Sequence, residues 1–195
     1  MRILIVGDGK VGHTLATELL REGHDITIID QNDEVIRKTE DTLDVLCIHG
    51  NCANVATLME AEADRADILI AATASDEVNM LCSLISKKLG TKFTIARIRD
   101  PEYNESLTLL QRELGIDLTI NPERATAMEI SRLLRFPYAT NIESFAKGHV
   151  EMVEFRVQDG DPIIGLALKA LKTIFQYLPL SLIHISEPTR RYAIS

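Results

Sequence analysis

The sequence predicts an α/β protein: a doubly wound six-stranded parallel sheet, followed by the truncated start of a small α+β C-terminal lobe. Three observations predict it. Short, nearly continuous apolar runs recur about 20 to 25 residues apart over the first 120 residues, as strands buried on both faces do. Segments of helical period lie between them, and this alternation makes right-handed crossovers with helices on both faces the default. After Phe136-Pro137-Tyr138 the pattern changes to alternating apolar and polar residues, the mark of a half-exposed strand.

Arg2–Val6 (RILIV) is the first strand, and the helix after it carries Val11, Leu15, Leu19 and Leu20 on one face, with Gly23 as its stop. Asp25–Asp30 (DITIID), Leu43–Ile48 (LDVLCI), Ala66–Ala72 (ADILIAA), Lys92–Ile98 (KFTIARI) and Gly115–Ile120 (GIDLTI) supply the other strands. Val78, Leu81, Ile85 and Leu89 give the apolar face of a helix that Gly90 ends. Asn121 caps a further helix, Pro122 opens its first turn, and it runs toward Arg135. The Phe136-Pro137 break after it is a candidate hinge. HVEMVEFRV then reads as a strand, DGDP as a turn and LALKALKTI as a helix, a piece too small to bury a core of its own. The expected organisation is a nucleotide-binding domain over 1–135, a linker over 136–147, the start of a second lobe over 148–179 and a foreign tail over 180–195.

That tail, LSLIHISEPTRRYAIS, breaks with everything before it. Leu180–Arg190 resembles the conceptual translation of a transposon-based sequencing adapter, so the reading frame is expected to have been cut short, and His184, Glu187, Arg190 and Arg191 carry no functional argument.

Composition narrows the function. The 195 residues carry a formal charge of −8 with a pI near 5.1, which disfavours nucleic acid or an anionic membrane surface, since both need clustered Lys and Arg. No apolar run approaches the roughly 18 residues of a membrane span, and the N-terminus enters a strand-like run without a secretory leader, so a cytoplasmic location is expected. Cys47, Cys52 and Cys82 are too few and odd in number for a disulfide framework. Cys47, His49 and Cys52 lie close together but lack a fourth zinc ligand; Cys47 reads as a core residue on a strand, and no metal site is expected.

The glycine-rich stretch carries the chemistry. Gly7-Asp8-Gly9-Lys10-Val11-Gly12 has GxGxxG spacing and sits between a predicted strand and a predicted helix, the context that makes the motif informative and the domain Rossmann-like. Gly7 permits the tight turn, Gly9 lets the backbone approach a pyrophosphate and Gly12 allows close helix-to-strand packing, while the helix N-terminus offers unpaired N–H groups. Asp30 ends the second strand, eighteen residues after Gly12, where a carboxylate accepts from both hydroxyls of an adenosine ribose. It repels a 2′-phosphate, and Gln31 and Asn32 offer no cation to hold one, so NAD or another adenine nucleotide is favoured over NADP. Strand ends add His49-Gly50-Asn51, Thr73-Ala74-Ser75, Arg97 and Arg99. Two arginines beside the cleft would clamp the phosphates of ATP, ADP or NADH; surface pairing with Asp100, Glu102 or Glu123 is their alternative.

Together GDGKVG, Asp30, ATASDEVNM (Ala72–Met80) and ARIRDPEY (Ala96–Tyr103) resemble the TrkA family, the regulatory subunits of Trk potassium-uptake systems built from RCK (KTN) domains. VEFRVQDGDPIIGLALKAL resembles the start of that family's C-terminal ligand-binding lobe. The resemblance implies binding of NAD(H) and of ATP or ADP, a homo-oligomeric ring of RCK domains, and docking beneath a membrane potassium channel subunit of the Trk/Ktr type, at the inner face of the cell membrane. By position Gly7 to Gly12, Asp30, Thr73, Ala74 and Arg97 match the family's nucleotide contacts. Asn51 stands where many relatives carry an acid.

A dehydrogenase would need a placed proton donor as well as a cofactor. The sequence has no YxxxK pair: Leu107, Ile142 and Ser181 follow Tyr103, Tyr138 and Tyr177 at that spacing. His13 and His24 read as surface residues, and His49 lacks an orienting carboxylate. No Walker-type GKT or GKS supports ATP hydrolysis. The sequence therefore favours a sensor over the alternative, an NAD-dependent oxidoreductase whose catalytic domain is lost.

Overall fold

The computed structural model describes residues 1–103, 106–135, 139–145, 150–160 and 164–166. The Phe136-Pro137 break, all but the first residue of the helix expected over Leu166–Ile174, and the tail over 180–195 lie outside them. The chain divides into two compact units, Met1–Ala127 and Met128–Ser195.

The first unit holds a six-stranded parallel sheet: β1 (Arg2–Val6), β2 (Asp25–Asp30), β3 (Leu46–His49), β4 (Ile68–Ala71), β5 (Phe93–Arg97) and β6 (Leu118–Ile120). Their order is β3-β2-β1-β4-β5-β6, and every neighbouring pair is parallel. The connections carry α1 (Lys10–Arg21), α2 (Asp33–Thr42), α3 (Val55–Glu60), α4 (Asp76–Leu89) and α5 (Leu107–Leu114). α6 (Pro122–Arg135) follows β6 and crosses the boundary between the units. The six expected strands and the α/β alternation are all present, with β3 starting three residues later than expected because Leu43 ends α2 as its C-cap.

Alternation along β1 divides the core. Leu4 and Val6 pack on one face of the sheet with Leu58, Leu69 and Cys82, while Ile3 and Ile5 pack on the other with Ala16, Ile28 and Ile36. All four β1 side chains from Ile3 to Val6 are at most 2% exposed, which is why the strand reads as a continuous apolar run. The helix stops fall where expected, Gly23 at φ +79° and Gly90 at φ +129°. One expectation fails on α4: Leu81 is exposed, and the buried positions include Asn79, Ser83 and Ser86. Hydrophobic period alone misplaces this face because each buried polar group has a partner, Ser83 bonding the carbonyl of Asn79 and Ser86 bonding Thr91.

In the second unit β7 (Ala139–Phe145) pairs antiparallel with β8 (Val150–Phe155), with Ile142 opposite Val153. β8 is the expected strand. β7 occupies a stretch expected as linker: ATNIESF carries weak alternation, and the partner strand supplies the pairing its own sequence does not advertise.

Among the glycines of the first unit the closest approach is at Gly12. A Cβ there would stand 1.9 Å from the carbonyl oxygen of Gly7. Gly12→Ala is expected to cost roughly 2–4 kcal/mol, read as a lower urea midpoint with unchanged slope, whereas Gly9→Ala, whose Cβ meets nothing within 4 Å, is expected to stay within about 0.5 kcal/mol of the parent.

Candidate nucleotide-binding site

β1 lies between β2 and β4, so the strand order reverses beside it and a crevice opens at the carboxyl ends of these strands. The glycine turn sits at that point. Gly7 takes φ +89°, its N–H donates to Ile29 at 2.8 Å, and a Cβ on it would lie 2.8 Å from the backbone of Thr73. Absence of side chains thus seats the turn between the end of β2 and the loop after β4. Gly9 is the N-cap of α1, exposed, with nothing within 4 Å of where its Cβ would be. It provides no side-chain cap, and the first turn of α1 holds no acid. By contrast Asn32, Asn54, Ser75 and Asn121 cap α2, α3, α4 and α6. The first-turn N–H groups over Lys10, Val11 and Gly12 therefore keep the donor capacity and partial positive charge that suit a phosphate.

Asp30 is held beside this turn. One carboxylate oxygen accepts the N–H of Asp8 at 2.7 Å and the other that of Asn32 at 2.8 Å, which fixes the rotamer while leaving lone pairs for ligand hydroxyls. Asp8 points the other way. Its side chain is buried and accepts from the hydroxyl of Thr39 on α2, with His13 Nδ1 3.3 Å away. Asp8 accordingly contributes backbone to the turn and braces it from below, and His13, read as a surface residue, is half-exposed and paired. His49 sets Nε2 2.9 Å from the carbonyl of Gln31. Gly50 donates to the Asp30 carbonyl at 2.9 Å, bringing the β3 loop alongside, but Asn51 spends its side-chain oxygen on Ala53 N–H at 2.9 Å.

The loops after β4 and β5 are tied by two buried polar residues that sequence reasoning did not single out. Asn79 is fully buried. Its side-chain oxygen accepts from the N–H and hydroxyl of Thr73 at 2.8 and 2.7 Å, and its amide donates to the Arg97 carbonyl at 2.9 Å. Asp76, also buried, accepts the N–H groups of Arg99 and Asp100, each at 2.8 Å. Arg99 turns its guanidinium to Asp76 and to the carbonyl of Ala74, bracing that loop; Asp76 takes the place of the surface acids considered for it. Arg97 does pair with one of them, Glu123. Neither Asn79 nor Asp76 stands out in sequence, since both sit at helix positions a period-based reading assigns to solvent; the signal available was the run Thr73-Ala74-Ser75-Asp76 at a strand end.

At the mouth of α4, Ser75 and Tyr103 hydroxyls donate to Glu77 at 2.7 and 2.8 Å. The Ser75 hydroxyl, the backbone N–H of Glu77 and the Tyr103 hydroxyl hold the Glu77 carboxyl down at about 2. A shallow groove of about 520 Å³ runs here, lined by residues 74–77 and 99–101. Cys47 packs on the sheet face opposite Cys52, so the two cannot share a metal, and burial pushes its thiol up to about 11. Among the described residues no three His, Cys, Asp or Glu side chains form a metal-holding group.

Asn79→Ala strands the Thr73 N–H and the Arg97 carbonyl, and is expected to lower stability by about 2–4 kcal/mol, measured by urea unfolding. The depressed Glu77 carboxyl contributes stability that is complete above its ordinary value of 4.5 and disappears as pH falls toward about 2. Thermal melts of Glu77→Gln should therefore fall less steeply than those of the parent between those pH values.

Comparison with known proteins places this geometry. The model of the TrkA-N domain matches residues 3–122. The chain is 38% identical over 183 residues to the Trk system potassium uptake protein TrkA homolog of Archaeoglobus fulgidus, covering 94% of this chain and 40% of that one. It is 38% identical to TrkA of Vibrio alginolyticus, covering 88% and 38%, and 32% identical to the TrkA homolog of Methanothermobacter thermautotrophicus, covering 81% and 71%. The chain thus spans about two fifths of the length of the first two relatives. In fold it is similar to the TrkA-N domain of the Escherichia coli inner membrane protein YbaL, with TM-score 0.61 and 22% identity over 68% of this chain and 96% of that one. It is also similar to the GsuK channel bound to NAD, with TM-score 0.60 and 22% identity over 88% and 30%. Among the described residues no helix is long and apolar enough to cross a membrane. The match over residues 3–122, carried on a doubly wound sheet with its glycine turn at the strand reversal, makes this chain a member of the TrkA-N domain family.

Proposed function

We propose that the chain is the nucleotide-sensing part of a regulatory subunit for a Trk-type potassium uptake channel, binding NAD(H) and adenine nucleotides such as ATP or ADP without turning them over. The observation that carries this reading is the uncapped N-terminus of α1 at Gly9, open to a diphosphate and flanked by a carboxylate that two backbone N–H groups hold in place. Gly7 through Gly12 form the phosphate cradle, Asp30 takes the ribose hydroxyls, and Thr73, Ala74, Arg97, Arg99 and Asn51 line the neighbouring strand ends. The potassium-uptake names of the 32–38% identical relatives support the transport role. The GsuK structures bound to NAD and to ADP support the choice of ligand on grounds of fold. The partner is a membrane channel subunit, the subunits assemble in a ring, and the protein sits in the cytoplasm at the inner face of the membrane through that partner.

Calorimetric titration of the whole chain with NADH, ATP and NADPH tests this. Saturable binding of NADH and ATP is expected, with NADPH weaker. Asp30→Asn, which keeps one acceptor but loses the charge, is expected to weaken NADH about tenfold and to narrow the gap to NADPH. Failure of all three to bind, tightest binding of NADPH, or steady NADH oxidation with a small carbonyl substrate would overturn the reading.

A further inference from the structure

Two cysteines that the proposed nucleotide contacts do not use meet in the core. Cys52 lies in the turn between β3 and α3, and Cys82 lies in α4. Both are free thiols in one apolar cluster with Leu58, Leu69 and Ala71, and they hydrogen-bond to each other. Two thiols far apart in sequence but in direct contact can form a disulfide with little backbone movement. They are not equivalent. The Cys52 sulfur accepts from the Cys82 S–H, from its own N–H and from the N–H of Ala53, and these donors hold its thiol below the ordinary range in spite of burial and the nearby charge of Asp30. Cys82, the donor of the pair and fully enclosed, is pushed well above that range by the same bond and by burial. Cys52 keeps 3% exposure in a turn whose Asn51 and Asn54 are exposed, so it is the member that a small solute reaches.

We infer that Cys52 and Cys82 form a redox site, a dithiol that a hydroperoxide converts to a reversible disulfide, with Cys52 as the attacking sulfur and Cys82 as the resolving one. The Cys52 thiolate attacks one peroxide oxygen and the O–O bond breaks. The leaving oxygen takes up the proton that Cys52 gave up, and Cys52 becomes a sulfenic acid. The Cys82 sulfur then bonds to the Cys52 sulfur, and the sulfenic hydroxyl leaves with the Cys82 proton as water. Two thiols lose two electrons in all, and hydrogen peroxide is reduced to two waters. A dithiol reductant returns the electrons and protons by exchange. Cys47 has no place in this chemistry, because it packs on the opposite face of the sheet and burial pushes its thiol up to about 11. The bond would tie the turn beside Asp30, where Gly50 donates to the Asp30 carbonyl, to the helix whose Asp76 and Asn79 hold the loops after β4 and β5.

The test treats the whole reduced chain with dilute hydrogen peroxide under native conditions, alkylates the remaining thiols with iodoacetamide after denaturation, and maps the peptides by mass. A Cys52–Cys82 disulfide within one chain is expected, forming at least roughly tenfold faster than any oxidation of Cys47 and reversed by dithiothreitol. Cys82→Ala is expected to stop at a sulfenic acid on Cys52, trapped by dimedone, whereas Cys52→Ala is expected to leave Cys82 a thiol. Three thiols left intact in the parent, a disulfide that forms only in urea, or pairing that includes Cys47 as readily would overturn the inference whether or not either variant folds. Dimedone on Cys82 in folded Cys52→Ala would overturn the assigned roles.

Discussion

The structure depends on one close approach, that of the start of α1 to the end of β1. The Gly7 carbonyl oxygen occupies the space a Cβ on residue 12 would fill, and the backbone of Thr73 occupies the space a Cβ on Gly7 would fill. Neither contact tolerates a side chain, and together they set three elements in register: the helix, the strand it follows, and the loop after β4. The helix N-terminus is thereby aimed into the crevice where strand order reverses, with its donors unspent. Had any ordinary residue stood at position 12, the helix would have to lift away from β1, and its first-turn N–H groups would no longer meet the carboxyl end of β2.

Around this approach lies a layer of buried polar groups, each paired. Asp8 reaches under the turn to Thr39; Asn79 joins the β4 loop to the end of β5; Asp76 gathers the N–H groups of Arg99 and Asp100. Burying so many polar atoms would destabilise the unit if any were left without a partner. Satisfied, they tie together the loops at the carboxyl ends of the strands, and the crevice is shaped before any ligand arrives. The unpartnered Nε of Arg97 departs from this pattern.

What could be read from the sequence follows a physical division. The sheet was legible because both of its faces are buried: RILIV, DITIID and ADILIAA admit little else, and Gly23 and Gly90 stop helices where their positive φ demands glycine. The turn was legible because its glycines act through backbone. The bracing was not, since Asn79, Asp76 and Thr39 are polar residues whose burial depends on partners 6, 23 and 31 positions away, and no local period records such pairs. Arg97 and Arg99 were legible as candidates by position, yet only coordinates separate their roles, because adjacent odd positions on one strand end led one to Glu123 and the other to Asp76 and Ala74. β7 escaped notice for the same reason as the bracing, as its pairing is supplied from another segment.

That division bears on how a nucleotide would act here. A ligand bound only by the glycine turn and Asp30 would meet groups already fixed by the fold, so its binding energy would be the same in every arrangement of the rest of the chain, and equal affinity shifts no equilibrium. A regulatory ligand needs at least one contact whose partner can move. Among the described residues near the crevice, Glu123 is exposed, pairs with the half-buried Arg97, whose Nε–H has no partner, and rides on α6 rather than on the sheet. On the reading proposed above, rigid contacts would hold the nucleotide, and a contact able to yield would set what its binding changes.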